Sequence, residues 1–195
     1  MTFVAAVSLV GAIQGALLLV ALRRIEPGHR LANNVLSVFV GLVVMTLVAR
    51  IIRDEGRAIV DFYPQVLLLM DTPVYSYGPL LFLYLYALTR PNRGLPRWWG
   101  LHFLPVALHL LRQSEYYLEN RADFFLRLQQ GNFPFWRWIL MGAVVQMWIY
   151  LALSLRLAFG RRDDAADRHA HATYMKMLLL VVATAWTAWG YHGLS

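Results

Sequence analysis

An acid within an apolar run is the first feature of this sequence with chemical potential. Asp71 lies about seven residues into the stretch 64–88, roughly 10 Å from its start at helical rise, where an unpaired carboxylate in hydrocarbon would cost several kcal/mol. It requires a partner, a water or a proton. Facing a bundle interior, it would be a ligand contact, an ion site or a protonation switch. The plainer reading is a helix-start residue that reaches the headgroups or caps the kink made by Thr72 and Pro73. Tyr75, Tyr77, Tyr84 and Tyr86 add hydroxyls to the same stretch, lining a cavity or sitting in interfacial zones. Asp71, Tyr75 and Tyr77 are therefore the candidate ligand-sensing residues.

The other polar residues carry less chemistry. His102 and His109 are seven residues apart and share one helical face, but two turns separate them by ~10.5 Å, too far for one metal ion. His169 and His171, close to Asp163, Asp164 and Asp167, read as a solvated loop rather than a cation site. Gln14, Asn33, Asn34 and Gln146 are explained by hydrogen bonds between helices, and Gly11 and Gly15, one turn apart, allow close helix approach. No Ser-His-Asp order, phosphate-binding glycine loop or metalloprotease helix is present. An enzyme is not expected, and neither a metal nor a cofactor is implied.

The elements that position these residues follow from composition. Of 195 residues, 59% are hydrophobic and 15% charged, a balance suited to lipid rather than to an aqueous globule. There are no cysteines, which excludes disulfides and thiolate chemistry. The pattern predicts a single all-α domain, a polytopic transmembrane bundle of about six helices with spans near 2–22, 35–52, 64–88, 98–113, 136–159 and 174–189. Asn33 or Asn34 is placed to cap the second. The third should be kinked or broken, because Pro73, Gly78 and Pro79 interrupt it. The fourth is short and carries Pro105. Between it and the fifth, 113–133 alternates aromatics with charges, as would an amphipathic interfacial helix or a solvated loop. Trp136 and Trp138, and Trp186 and Trp189, stand where interfacial belts are expected.

The net charge of +7 is scattered through the loops and reads as orientation rather than as a nucleic-acid patch. With six spans, eleven basic residues fall on one side, including Arg23, Arg24, Arg30, Arg90, Arg93, Arg97 and Arg156, against seven on the other. The positive-inside bias puts the first set in the cytoplasm and both termini outside.

The stretch Gly78-Pro-Leu-Leu-Phe-Leu-Tyr-Leu-Tyr-Ala-Leu-Thr-Arg-Pro91 resembles the N-terminal multi-span sensor domain of membrane-bound AraC-type transcription regulators. Gly11-x-x-Gln14-Gly15, Leu31-Ala32-Asn33 and His102-Phe103-Leu104-Pro105 fall in the same order and at similar spacing. The resemblance covers nearly the whole chain, by motif in the first half and by hydropathy alone in the second. It implies a signal-sensing module of the bacterial inner membrane, in a family whose members continue through a seventh span into a helix-turn-helix DNA-binding domain. That half is expected to be absent here, so this chain alone would not bind nucleic acid. Gly11, Gln14, Gly15, Asn33, Pro73, Gly78, Pro79, His102 and Pro105 read as helix-break and packing residues. Expected partners are the lipid bilayer, a hydrophobic or envelope-derived ligand and, permitted by the glycines without being specified, a second copy as a homodimer. The alternative is a small transporter or permease, motivated by the broken third span beside an acid.

Overall fold

The computed structural model describes residues 2–24, 30–70, 73–90, 94–130 and 136–159, together with 177, 179–184, 186 and 187. Among them the chain is helical and has no strand. Seven α-helices are defined: α1 Phe3–Arg24, α2 Arg30–Glu55, α3 Arg57–Phe62, α4 Tyr77–Thr89, α5 Leu104–Leu118, α6 Arg121–Gln129 and α7 Trp136–Phe159. Two 3₁₀ turns, Pro64–Met70 and Trp99–Phe103, precede α4 and α5. Among the described residues three helices are long and apolar enough to cross a membrane: α1, α2 and the Trp138–Leu157 part of α7. This is consistent with a membrane protein.

α1 and α2 form an antiparallel hairpin. Small residues line the contact face of α1, where Ala5, Ser8 and Ala12 are buried. A Cβ on Gly11 would lie 3.1 Å from Leu47 Cδ1, and one on Gly15 would collide with Val44 Cγ2. The missing side chains let the two backbones close up. At the far end the Thr2 amide donates to the Glu55 carboxylate. Gln14, expected to bond between helices, is exposed on α1. The remaining perimeter of α1 presents Phe3, Val7, Val10, Leu17 and Val20 outward, an apolar surface that lipid would cover.

α2 is already helical at Arg30, so Asn33 and Asn34 lie inside it and do not cap its start. Ala32 is almost wholly buried, and tertiary packing carries the helix past the asparagines. Its 26 residues also outrun the apolar stretch 35–52 from which a span was expected.

α4 occupies the centre. Eight of its 13 residues are buried, and it packs against α2 on one side and α7 on the other. Leu80, Leu81, Leu83, Leu85 and Ala87 make one core with Ala32 and Val35 of α2, Met147 and Leu151 of α7, and Leu179. The buried residues of α7, namely Leu140, Ala143, Met147, Tyr150, Leu151 and Ser154, recur every three or four positions. Met141, Val145, Trp148 and Ile149 face outward from the same helix.

The stretch 98–113 differs from the uniform helix expected of it. It is a 3₁₀ turn followed by α5, which continues to Leu118, with Pro105 in its first turn, where a missing amide costs nothing. His102 lies in the turn and His109 in α5, so the two histidines do not share a helical face. The stretch 113–133 contributes the end of α5 and all of α6, with Phe124 fully buried. Trp186, expected at an interface, is partly buried and packs on the core beside Tyr77, at 6.1 Å between ring centroids.

Candidate functional site

The stretch 64–88 is divided into the 3₁₀ turn Pro64–Met70, a tight turn over 73–76 and α4. Pro73 cannot donate a backbone hydrogen bond, and its carbonyl accepts the Ser76 amide at 2.8 Å, closing the turn that starts α4. Asp71 lies outside the described residues, as do His169, His171 and Trp189.

Tyr75 and Tyr77 leave this junction toward different helices. The Tyr75 hydroxyl donates to the Ile139 carbonyl of α7 at 2.8 Å, and Gln146 Nε2 of α7 donates to the Tyr75 carbonyl at 3.1 Å. Ile139, Gly142 and Gln146 stand at helical spacing on one face of α7, with Gly142 leaving room for the phenol. The Tyr75 ring also lies 5.2 Å from His109 of α5. Tyr77 instead meets Thr46 of α2, oxygen to oxygen at 2.8 Å. Thr46 spends its own proton on the Leu42 carbonyl at 3.0 Å, which leaves Tyr77 as the donor. Phe39 of α2 packs edge-on against the Tyr77 ring at 5.6 Å. Tyr75 in the turn and Tyr77 at the start of α4 thus tie the break to α7 and α5 in one direction and to α2 in the other.

Below the junction runs a seam between α4 and α7. A Cβ on Gly78 would lie 2.8 Å from Tyr150 Cδ2, so glycine is what lets this tyrosine lie flat on the start of α4. Tyr150 Oη and His102 Nδ1 are 2.8 Å apart, which pins the 3₁₀ turn before α5 to α7. Phe82, one turn beyond Gly78, touches both rings. A further turn on, the seam opens into a groove of about 340 Å³ lined by Phe82, Tyr86, Arg90, Leu153, Arg156 and Leu157. Arg90 Nη1 donates to the Tyr86 hydroxyl at 2.9 Å, and its guanidinium carbon stands 4.6 Å from the centroid of the same ring.

The opposite end is covered by short elements. α3 and α6 both pack on the 3₁₀ turn Pro64–Met70. Gln65, buried in that turn, donates to the Glu119 carbonyl at 3.0 Å. Glu119 accepts from Arg127 of α6 at 2.8 Å, a bond that raises the guanidinium's already high pKa and leaves it a fixed charge at any attainable pH. Segment 99–119 therefore runs from the level of Tyr150 and Phe82, past Tyr75, to this cap.

The structure brings Tyr75, Tyr77, Pro73, Gly78 and Pro79 together at one junction, with His102 reaching it through Tyr150. Gly11, Gly15 and Asn33 serve the α1–α2 hairpin and α2, and Pro105 only starts α5. The groove is not legible in hydropathy or loop charge, where Arg90 and Arg156 count only as orienting charges. The spacing of Tyr86 and Arg90, one helical turn apart, was the available signal. Among the described residues no three His, Asp or Glu side chains group as metal ligands.

The fold and junction define a class: an all-helical protein with three membrane-capable helices among its described residues, two of which, α2 and α7, flank a short, buried, discontinuous segment. Comparison with protein-family models, curated proteins and solved structures found no match.

Proposed function

We propose that the chain is a membrane-embedded signal-sensing module of the kind found N-terminal to AraC-type helix-turn-helix regulators, seated in the bacterial inner membrane with its N-terminus outside. The observation that carries this reading is the break before α4, hydrogen-bonded through Tyr75 to α7 and through Tyr77 to α2, with the cap of α3 and α6 seated on the preceding 3₁₀ turn. By the charge count that cap faces outside. A hydrophobic or envelope-derived ligand engaging it would bear directly on the 3₁₀ turn. Displacing the turn moves α4 relative to both long neighbours. Such a device biases two packings of one bundle, and a ligand shifts it by its differential affinity for them. In this reading 64–88, 99–118 and the region around 177–187 supply the remaining passages through the bilayer, giving about six in all.

The test appends one synthetic apolar span and an AraC-type DNA-binding domain with its promoter reporter after Ser195. Osmotic shock, a cationic amphiphile and a change of lipid composition are then applied to cells carrying the native sequence, Tyr75→Phe or a deletion of 113–133. Output that responds to one of these perturbations, and loses the response in the variants, supports sensing. Output indifferent to every perturbation and to both variants overturns it.

A small permease is the second reading, favoured by the same discontinuous segment. Proteoliposomes decide between them, because solute flux abolished by Asp71→Asn belongs to a permease and not to a sensor.

A further inference from the structure

We propose that the groove between the last turns of α4 and α7 binds the phosphate of an anionic phospholipid. This rests on the membrane reading of α1, α2 and α7 but not on the sensing role.

Three observations converge on that ligand. The first is charge. Arg90 and Arg156 stand on the rim of one groove, and among the described residues neither is paired with a carboxylate. Two guanidinium groups on one small cavity repel each other and favour an anion between them. The second is preorganisation. Tyr86 holds Arg90 from below, through its ring and its hydroxyl, using one of five N–H donors and fixing the plane of the others. A planar fork already ordered loses little freedom when it takes phosphate oxygens. The third is placement. Phe82, Leu153 and Leu157 give the groove an apolar wall suited to glycerol and the first acyl methylenes, while half-buried Arg90 and exposed Arg156 line the same groove.

Its level in the bundle matches. α4 starts beside Thr46 and Phe39 and shares a core with Ala32, so it runs antiparallel to α2 and ends near the start of that helix. α7 runs alongside α4, with Ile139 at Tyr75, Tyr150 at Gly78 and Arg156 in the groove beside Tyr86. Arg90 and Arg156 therefore occupy the end of the bundle where α1 finishes with Arg23 and Arg24 and α2 begins with Arg30. Basic pockets between spans on the cytoplasmic side are where anionic headgroups collect. A free phosphate would use the same fork but leave the apolar wall empty.

The test uses the full chain in nanodiscs containing phosphatidylcholine with a minor fraction of phosphatidylglycerol, read by native mass spectrometry as lipid retained per protein. Phosphatidylglycerol should be retained in preference to phosphatidylcholine. Arg90→Gln and Arg156→Gln should each weaken that preference about fivefold, the ratio for ~1 kcal/mol per interfacial charge. Tyr86→Phe, which removes only the hydroxyl beneath Arg90, should weaken it less, and Arg53→Gln, at the other end of α2, should leave it unchanged. Equal retention in Arg90→Gln, Arg156→Gln and the native chain overturns the proposal. So does full displacement of the lipid by millimolar inorganic phosphate, which would make the site one for a free anion. Carbonate washing of membranes separates the two levels of failure. A chain that washes off overturns the membrane reading and this site with it, whereas a chain that stays but shows no lipid preference overturns the site alone.

Discussion

A Cβ on Gly142 would lie 2.9 Å from the Tyr75 hydroxyl, so the phenol that anchors the broken segment to α7 occupies space that only glycine leaves open. The atom in the way is the free end of a rotatable side chain, which can move at the cost of its bond to Ile139. Gly142→Ala should lose that hydrogen bond, ~0.6 kcal/mol between membrane helices. It should also gain about 0.5–1 kcal/mol of helix propensity. The net change in thermal stability should be close to zero. In a Tyr75→Phe background there is no hydroxyl to displace, and the same substitution should stabilise by the full propensity gain. A double-mutant cycle on the purified chain, followed by thermal unfolding, measures the difference, and strict additivity would show that the two residues do not interact.

Gly78 presents the opposite case. Its Cβ would meet not the tip of Tyr150 but Cδ2, Cβ and Cγ, at 2.8, 3.2 and 3.2 Å, and these cannot swing aside without moving α7. Gly78→Ala should destabilise by about 1–3 kcal/mol, as overpacking does. It should also open the Tyr150–His102 contact, visible as a change in the His102 ring resonances. A variant as stable as the native chain would mean that α4 and α7 are further apart than described.

Among the described side chains of α6, Phe124 is the large one that is fully buried, and the Glu119–Arg127 pair also ties the helix down. Removing it with Phe124→Ala should cost about 3–5 kcal/mol of local docking. Tryptic cleavage at Arg121 and Arg127 should then accelerate by about a hundredfold to a few thousandfold under native conditions, with α1 and α2 intact. Unchanged cleavage would place α6 off the cap.

Because the chain has no cysteine, single introduced thiols report sidedness without background. Gly94 and Ala122 are both exposed and bracket segment 99–118. In intact cells a membrane-impermeant maleimide should label Ala122→Cys and spare Gly94→Cys until the membrane is opened. Labelling of both from one side would mean that 99–118 does not cross.

The long helices were legible because α1, α2 and α7 are continuous apolar runs ended by arginines. Their ends were not, since hydropathy marks where a helix leaves hydrocarbon rather than where its hydrogen bonds stop. α2 accordingly continues from Arg30 to Glu55. The division of 64–88 was legible in Pro73 and Gly78-Pro79, residues whose backbone chemistry is local. Which neighbours Tyr75 and Tyr77 would engage was not, because that depends on helices 64 and 31 residues away in sequence. In 98–113 hydropathy does not show that Leu104, Leu108 and Leu111 face outward while His109 and Gln113 are buried. At these positions of α5 the usual correspondence of apolar with inside is reversed, so hydropathy alone misplaces its faces.

The 26 residues of α2 measure ~39 Å against a hydrocarbon core of ~30 Å. Only its apolar stretch 35–52, ~27 Å long, has to match that core, so the polar ends of the helix stand at the headgroups and a change in membrane thickness acts on the helix through them. α4, about 20 Å long and enclosed by protein, has no such obligation. Thr46 and Tyr77 join the helix that answers to thickness to the one that does not. The same 2.8 Å contact is therefore where a stretched or thinned membrane would first be felt as shear inside the protein.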